Sequence, residues 1–215
     1  MFNHLKPNTM KKIILIIVII WVSFLSASAQ DLELTGVIAA AKAGSLEYLQ
    51  KIPVNQEPSY GFSSRAEFAS ITIGKPYQIL TLSKEFFADT VMPDEKYIIS
   101  TGEWLVPLLI NGEYRILLTV CMINGQFEVV ALGGAVLAKT LENFENLHHS
   151  YSESGMLLRV YQMSSDFVLV SPEGEHARIY PLNTLNLLST EFGNNFPTDS
   201  LPKALQAIRS FVVHQ

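Results

Sequence analysis

Cys121 is the only cysteine in the 215 residues, so no disulfide can form within the chain. Stability must come from a hydrophobic core or from assembly. Charge is sparse too, with 15 Lys and Arg against 20 Asp and Glu. This shortage of basic residues argues against nucleic acid or anionic lipid as a partner, since both are bound through basic surface. The chain has no internal repeat, no low-complexity tract and no heptad run. It also lacks a G-x-S-x-G elbow and a phosphate-cradling glycine motif. Ser152-Glu153-Ser154-Gly155 and Gly61-Phe62-Ser63-Ser64 read as ordinary loops, and Gly133-Gly134 as a bend from strand into helix.

At the N-terminus, Lys6, Lys11 and Lys12 precede an apolar run from Ile13 to Leu25, and Ala27-Ser28-Ala29 follows. Basic start, short apolar run and small residues at the processing positions are the pattern of a secretory signal. Residues 1–29 are expected to be a cleaved signal peptide leaving Gln30 first; the apolar stretch is at the short limit for spanning a bilayer. No Cys follows for lipid attachment, so no stable membrane insertion is expected after cleavage. The segment holds three of the 15 basic residues and none of the 20 acids, so the 186 residues that remain carry a net charge of −8. The expected location is periplasmic or extracellular.

Residues 30–215 are enough for a single domain, with possible subregions 30–150 and 151–215. Apolar positions 34, 37, 38 and 41 have helical spacing, and Gly44 is expected to stop that helix before a second turn begun by Ser45. The rhythm then changes to strands: Ile71–Ile73, Tyr77–Leu82 and Lys96–Ser100. Asn111-Gly112 and Asn124-Gly125 suit the paired positive φ angles of type I′ hairpins. They set a meander of Glu103–Ile110, Glu113–Ile123 and Gln126–Leu132, with both faces of the middle strand apolar and therefore covered. Pro107 cannot donate to a ladder and is expected near an edge or bulge.

Ala135–Leu147 is an amphipathic helix with Leu137, Leu141 and Phe144 on one stripe, a natural cover for the sheet. A second β region follows as Met156–Met163, Asp166–Val170 and Ala177–Pro181, then a short helix near Thr184–Phe192. A last helix is capped by Ser200, with Leu201, Leu205, Ile208 and Phe211 on its stripe. Segregated helices and strands of this kind predict an α+β fold: an antiparallel meander packed against amphipathic helices, a second small β region and a C-terminal helix.

The chemical candidates are few. Cys121, mid-strand among apolar neighbours, reads as a small hydrophobe and not as a thiolate nucleophile. His148 and His149, with Glu153 and His176, lack the spacing of a zinc site, so no metal and no cofactor is expected. Glu103, Glu113 and Glu128 are able to approach across strands as glycosidase carboxylates must, but solvated strand ends explain them more simply. Tyr60, Phe62, Trp104 and Tyr114 are candidates for a groove. Arg159 and Tyr161 alternate onto one face of a later strand, beside a strand bearing Arg178 and Tyr180.

Trp104, Tyr114, Arg159, Tyr161, Arg178 and Tyr180 are therefore the expected binding residues. The reading favours a non-catalytic exported binding or accessory protein recognising an envelope protein, peptide or polymer. A secreted hydrolase of such polymers and a carrier of a small apolar ligand are the alternatives.

Overall fold

The computed structural model describes residues 32–148, 156–170, 177–182 and 196–213. The expected signal peptide, the expected helix 184–192, and His149, Glu153 and His176 lie outside the described residues. Residues 32–50 form helix α1. Strands β1 (Thr72–Ile73) and β2 (Tyr77–Leu82) follow, then the short helix α2 (Lys84–Ala88). Next come β3 (Ile98–Ile110), β4 (Glu113–Ile123), β5 (Gln126–Gly133) and helix α3 (Ala135–Leu147). The chain ends in β6 (Met156–Val160), β7 (Ser165–Val170), β8 (Arg178–Pro181) and helix α4 (Leu201–Val213).

All eight strands among the described residues belong to one sheet, in the order β5-β4-β3-β2-β6-β7-β8, with β1 beside β3. The second β region thus continues the meander's sheet, through the parallel pairing of β2 with β6. Every other pairing is antiparallel, giving the α+β fold that the segregated runs predict. The two-residue links Asn111-Gly112 and Asn124-Gly125 have φ of +53°, +83°, +51° and +83°. These angles give the connection the twist of the strands it joins.

The helices cover both faces. On one face, Ala138, Leu141 and Phe144 of α3 pack against Leu105, Leu117, Leu157 and Val168. The other face is covered in two halves. Val37, Ala41 and Leu49 of α1 pack on Trp104, Val106, Leu118 and Val120, while Leu201, Leu205, Ile208 and Phe211 of α4 pack on Leu80, Leu158, Phe167 and Ile179. Gln78 and Trp104 are cross-strand partners, and Leu80 and Leu82 follow Gln78 at the strand period of two. Both halves therefore lie on the same side of the sheet. Burying one such Leu, Ile or Phe side chain is worth about 1.5–3 kcal/mol, so these three clusters are the main source of stability.

Three expectations need correction. Helix α1 runs through Gly44 and Ser45 without a stop. A Cβ on Gly44 would lie 2.7 Å from Val129 Cγ2, and one on Gly36 would lie 2.7 Å from Phe127 Cδ2, so these glycines let the helix approach β5 closely. Ser45 Oγ donates back to Lys42 O at 3.2 Å instead of capping a new turn. Second, the segments expected as separate strands before and after Gly102 form the single strand β3. Gly102, at φ +77°, absorbs an irregularity where the register against β2 jumps from Gln78↔Trp104 to Leu80↔Ser100. Third, β6 stops at Val160, and Tyr161–Met163 form a 3₁₀ turn before β7.

Pro107 lies inside β3, yet locally at a gap. Its carbonyl accepts from Gly74 N–H at 2.8 Å, and β1 and β2 flank that side of β3 in succession. The N and O of one strand residue point the same way, so the missing donor faces the break between the two flanking strands, and a bulge follows at Leu108/Leu109.

Candidate binding cleft

A cleft of about 530 Å³ opens where the start of α4 meets the turn before β3 and the start of β8. Its mouth carries Asp94, Glu95, Lys96, Asp199 and Ser200. An adjoining chamber of about 170 Å³, also open to solvent, shares Glu95, Ala177 and Leu201 with it and is walled by Leu80, Ile98, Met156 and Leu169. Apolar walls beside a few polar groups are the usual composition of a ligand site.

Local sequence builds each wall. Asp94 Oδ1 accepts from Lys96 N at 3.2 Å and fixes the 3₁₀ turn Glu95–Tyr97. Ile98 then enters β3 opposite Leu82. Ser200 O accepts from Ala204 N at 2.9 Å and begins α4, where Pro202 has no N–H to leave unpaired. At the mouth, Lys96 Nζ lies 3.7 Å from Asp94 Oδ2, both side chains being exposed. Asp94, Glu95 and Asp199 outnumber that one cation, so the mouth is acidic.

The binding residues expected from sequence are dispersed. Trp104 is buried under α1, with Nε1 lacking an acceptor among the described residues. Phe62 is buried in the same cluster, and Tyr60 packs on it. Tyr114 is buried on the opposite face under α3, so Trp104 and Tyr114 share no groove. Arg159 and Arg178 do share the α3 face with Tyr180, but β7 lies between their strands. Asp166 takes the Arg159 guanidinium in two bonds, Nε to Oδ1 at 2.8 Å and Nη2 to Oδ2 at 3.2 Å. That pairing holds the Arg159 pKa above its ordinary value. Tyr180 packs with its ring tilted against those of Phe144 and His148, and Tyr161 is exposed in the turn past β6. The cleft has no signature in the sequence because its walls come from six separate segments, Leu80, 94–98, Met156, Leu169, Ala177 and 199–202, and only the apolar alternation of each was visible.

The reactive side chains are occupied in other ways. Tyr77 and Tyr114 hydroxyls both donate to the Glu145 carboxylate, Tyr114 at 2.7 Å, and Glu142 Oε1 accepts from Tyr114 N at 3.0 Å. Burial, then the bond to Glu145, pushes both phenol pKa values far up, so the pair acts as protonated donors tying α3 to the sheet. Cys121 is half-buried and sits in one cross-strand row between Glu103 and Glu128. Burial, then these two carboxylates, pushes its thiol up, which disfavours a thiolate. Glu103 and Glu128 are two strand spacings apart, roughly 10 Å, while Glu113 lies near the other end of β4 beside Arg115.

Among the described residues no cluster of three or more His, Cys, Asp or Glu is placed to hold a metal, and no helix is long and apolar enough to cross a membrane. Compared with protein-family models, with curated proteins and with solved structures, the chain finds no match.

Proposed function

We propose that this protein is an exported, non-catalytic binding protein that recognises a segment of a partner protein. The segment places a large apolar side chain in the chamber walled by Leu80, Ile98, Met156 and Leu169 and a basic residue against the acidic mouth. The observation that carries the reading is the pairing of an apolar chamber with a mouth bearing Asp94, Glu95 and Asp199. Apolar burial supplies affinity and the acidic rim supplies orientation and rate of encounter. The net charge of −8 on residues 30–215 favours a basic partner at long range as well. Export rests on the order of basic start, apolar run and small residues in 1–29.

A displayed peptide library selected against the protein tests the reading. Enriched peptides should carry a large apolar residue within a few positions of Lys or Arg, and raised salt should weaken them. Enrichment of acidic sequences would contradict it. Protein recovered from its host's envelope fraction should begin at Gln30; intact chain in the cytoplasm would remove the export half of the proposal.

A further inference from the structure

The opposite end of α4 holds a buried guanidinium with two of its three nitrogens unbonded among the described residues. Arg209 is 6% exposed, and only Nη1 is bonded, donating to Val91 O at 2.6 Å. Its Cζ lies 4.7 Å from the Phe86 ring centroid and 5.6 Å from that of Tyr97, two rings that meet edge to face, so the cation is in reach of both. Nε and Nη2 have no acceptor among the described residues. These two nitrogens form one edge of the guanidinium, with parallel N–H groups that match the two oxygens of a carboxylate. Arg159 uses this same edge for Asp166. In Arg209 no acceptor among the described residues meets it.

A pocket of about 420 Å³ is lined in part by Arg209, with Phe87, Ala88 and Val213 as apolar sides and Thr90 and Ser210 as hydroxyl groups. Asp89 also lines it, but its Oδ2 is taken by the Tyr97 hydroxyl. Val213 in its wall, and Val91 and Met92 just after the lining segment Phe87–Thr90, are large apolar side chains left more than half exposed. A buried cation in no direct ion pair among the described residues is costly, and a carboxylate bearing an apolar group would satisfy both the edge and the exposed apolar side chains.

We propose that this pocket binds a carboxylate attached to an apolar group, held by the Nε and Nη2 edge of Arg209. The segment 89–92 shifts to admit it, because both nitrogens are shielded from solvent in this structure. The carboxylate is that of a free aliphatic acid or of an apolar C-terminal residue of a peptide. This site is separate from the cleft at the start of α4 and does not depend on it.

Calorimetric titration of the protein, purified as its host produces it, distinguishes the sources. The probes are octanoate with octanol as its neutral counterpart, and an acetylated tripeptide ending in leucine with its carboxamide. At least one carboxylate should bind with Kd below about 1 mM, and its neutral counterpart at least about tenfold more weakly. Octanoate alone identifies a free acid, and the tripeptide alone a chain terminus.

Arg209→Lys keeps the charge but loses the fork, and should weaken binding at least about tenfold. Ala88→Trp blocks the pocket with Arg209 intact and should abolish binding even if the lysine variant fails to fold. Asp89→Asn removes the one carboxylate in the pocket and should tighten binding several-fold, about one Coulomb contact's worth. Failure of both carboxylates to bind, equal binding of the neutral counterparts, or undiminished binding by Ala88→Trp would each overturn the proposal.

Discussion

The two halves of the sheet face covered by α1 and α4 are closed to different degrees. Over β5, Gly36 and Gly44 bring α1 so near that a single added methyl group would meet Phe127 or Val129 at 2.7 Å, and Tyr48 Oη donates to Val129 O at 2.7 Å. Over β2, β6, β7 and β8, α4 has no glycine and presents Leu, Ile and Phe, standing over the sheet with a cleft at each end. The same sheet therefore carries a sealed half and an open half. Small residues turn a helix into structural cover, whereas bulky ones leave room where their stripe ends.

Truncation should expose this difference most strongly. Leu49→Ala, in the sealed half, removes a fully buried side chain that the tightly held helix cannot replace, and should cost about 4 kcal/mol. Leu201→Ala, whose side chain already borders open space, should cost about 2 kcal/mol. Urea unfolding of both variants checks the ordering, and equal losses would erase the distinction.

Gly44→Ala gains helix propensity of about 1 kcal/mol but forces a β-branched, stiff Val129 to move, so net destabilisation of about 1–2 kcal/mol is expected. Adding Val129→Ala to it should restore most of the loss. A stabilised single variant would mean that α1 is not close-packed on β5.

The α3 face offers a pH-dependent comparison. Tyr77 and Tyr114 have folded pKa values raised above their unfolded value of about 10, so the folded state keeps protons that the unfolded state gives up. Their contribution is complete below about pH 10 and declines as pH rises beyond it. Tyr77→Phe should cost about 1 kcal/mol at neutral pH and flatten the alkaline loss, measured as Tm between pH 8 and pH 11.

Much of the scaffold was legible in the sequence, and its reasons are local. Asn111-Gly112 and Asn124-Gly125 mark turns by dihedral preference alone, and the stripes of α3 and α4 follow from the helical period. Gly44 was misread because a glycine after an apolar stripe signals a helix end as readily as a close approach, and only the position of Val129 decides between them. Arg159 was visible as a cation on a strand, but its partner Asp166 sits across a hairpin whose turn shortens β6 by three residues. Neither the cleft nor Arg209 has a local signature. Each depends on which segments α4 meets, and that is a property of packing.

The smallest expected change in stability accompanies the largest expected change in binding. Ala177→Trp fills the chamber at the open half and should alter stability by less than about 1 kcal/mol, while peptide affinity falls at least about tenfold.

The most direct test of the division into a sealed and an open half is amide chemical-shift mapping of the isotopically labelled protein with a selected peptide. Shifts should concentrate at 94–98, Ala177 and 199–202, and leave 36–48 and 127–129 unmoved. Shifts centred on α1 and β5, with the α4 cleft silent, would contradict the account.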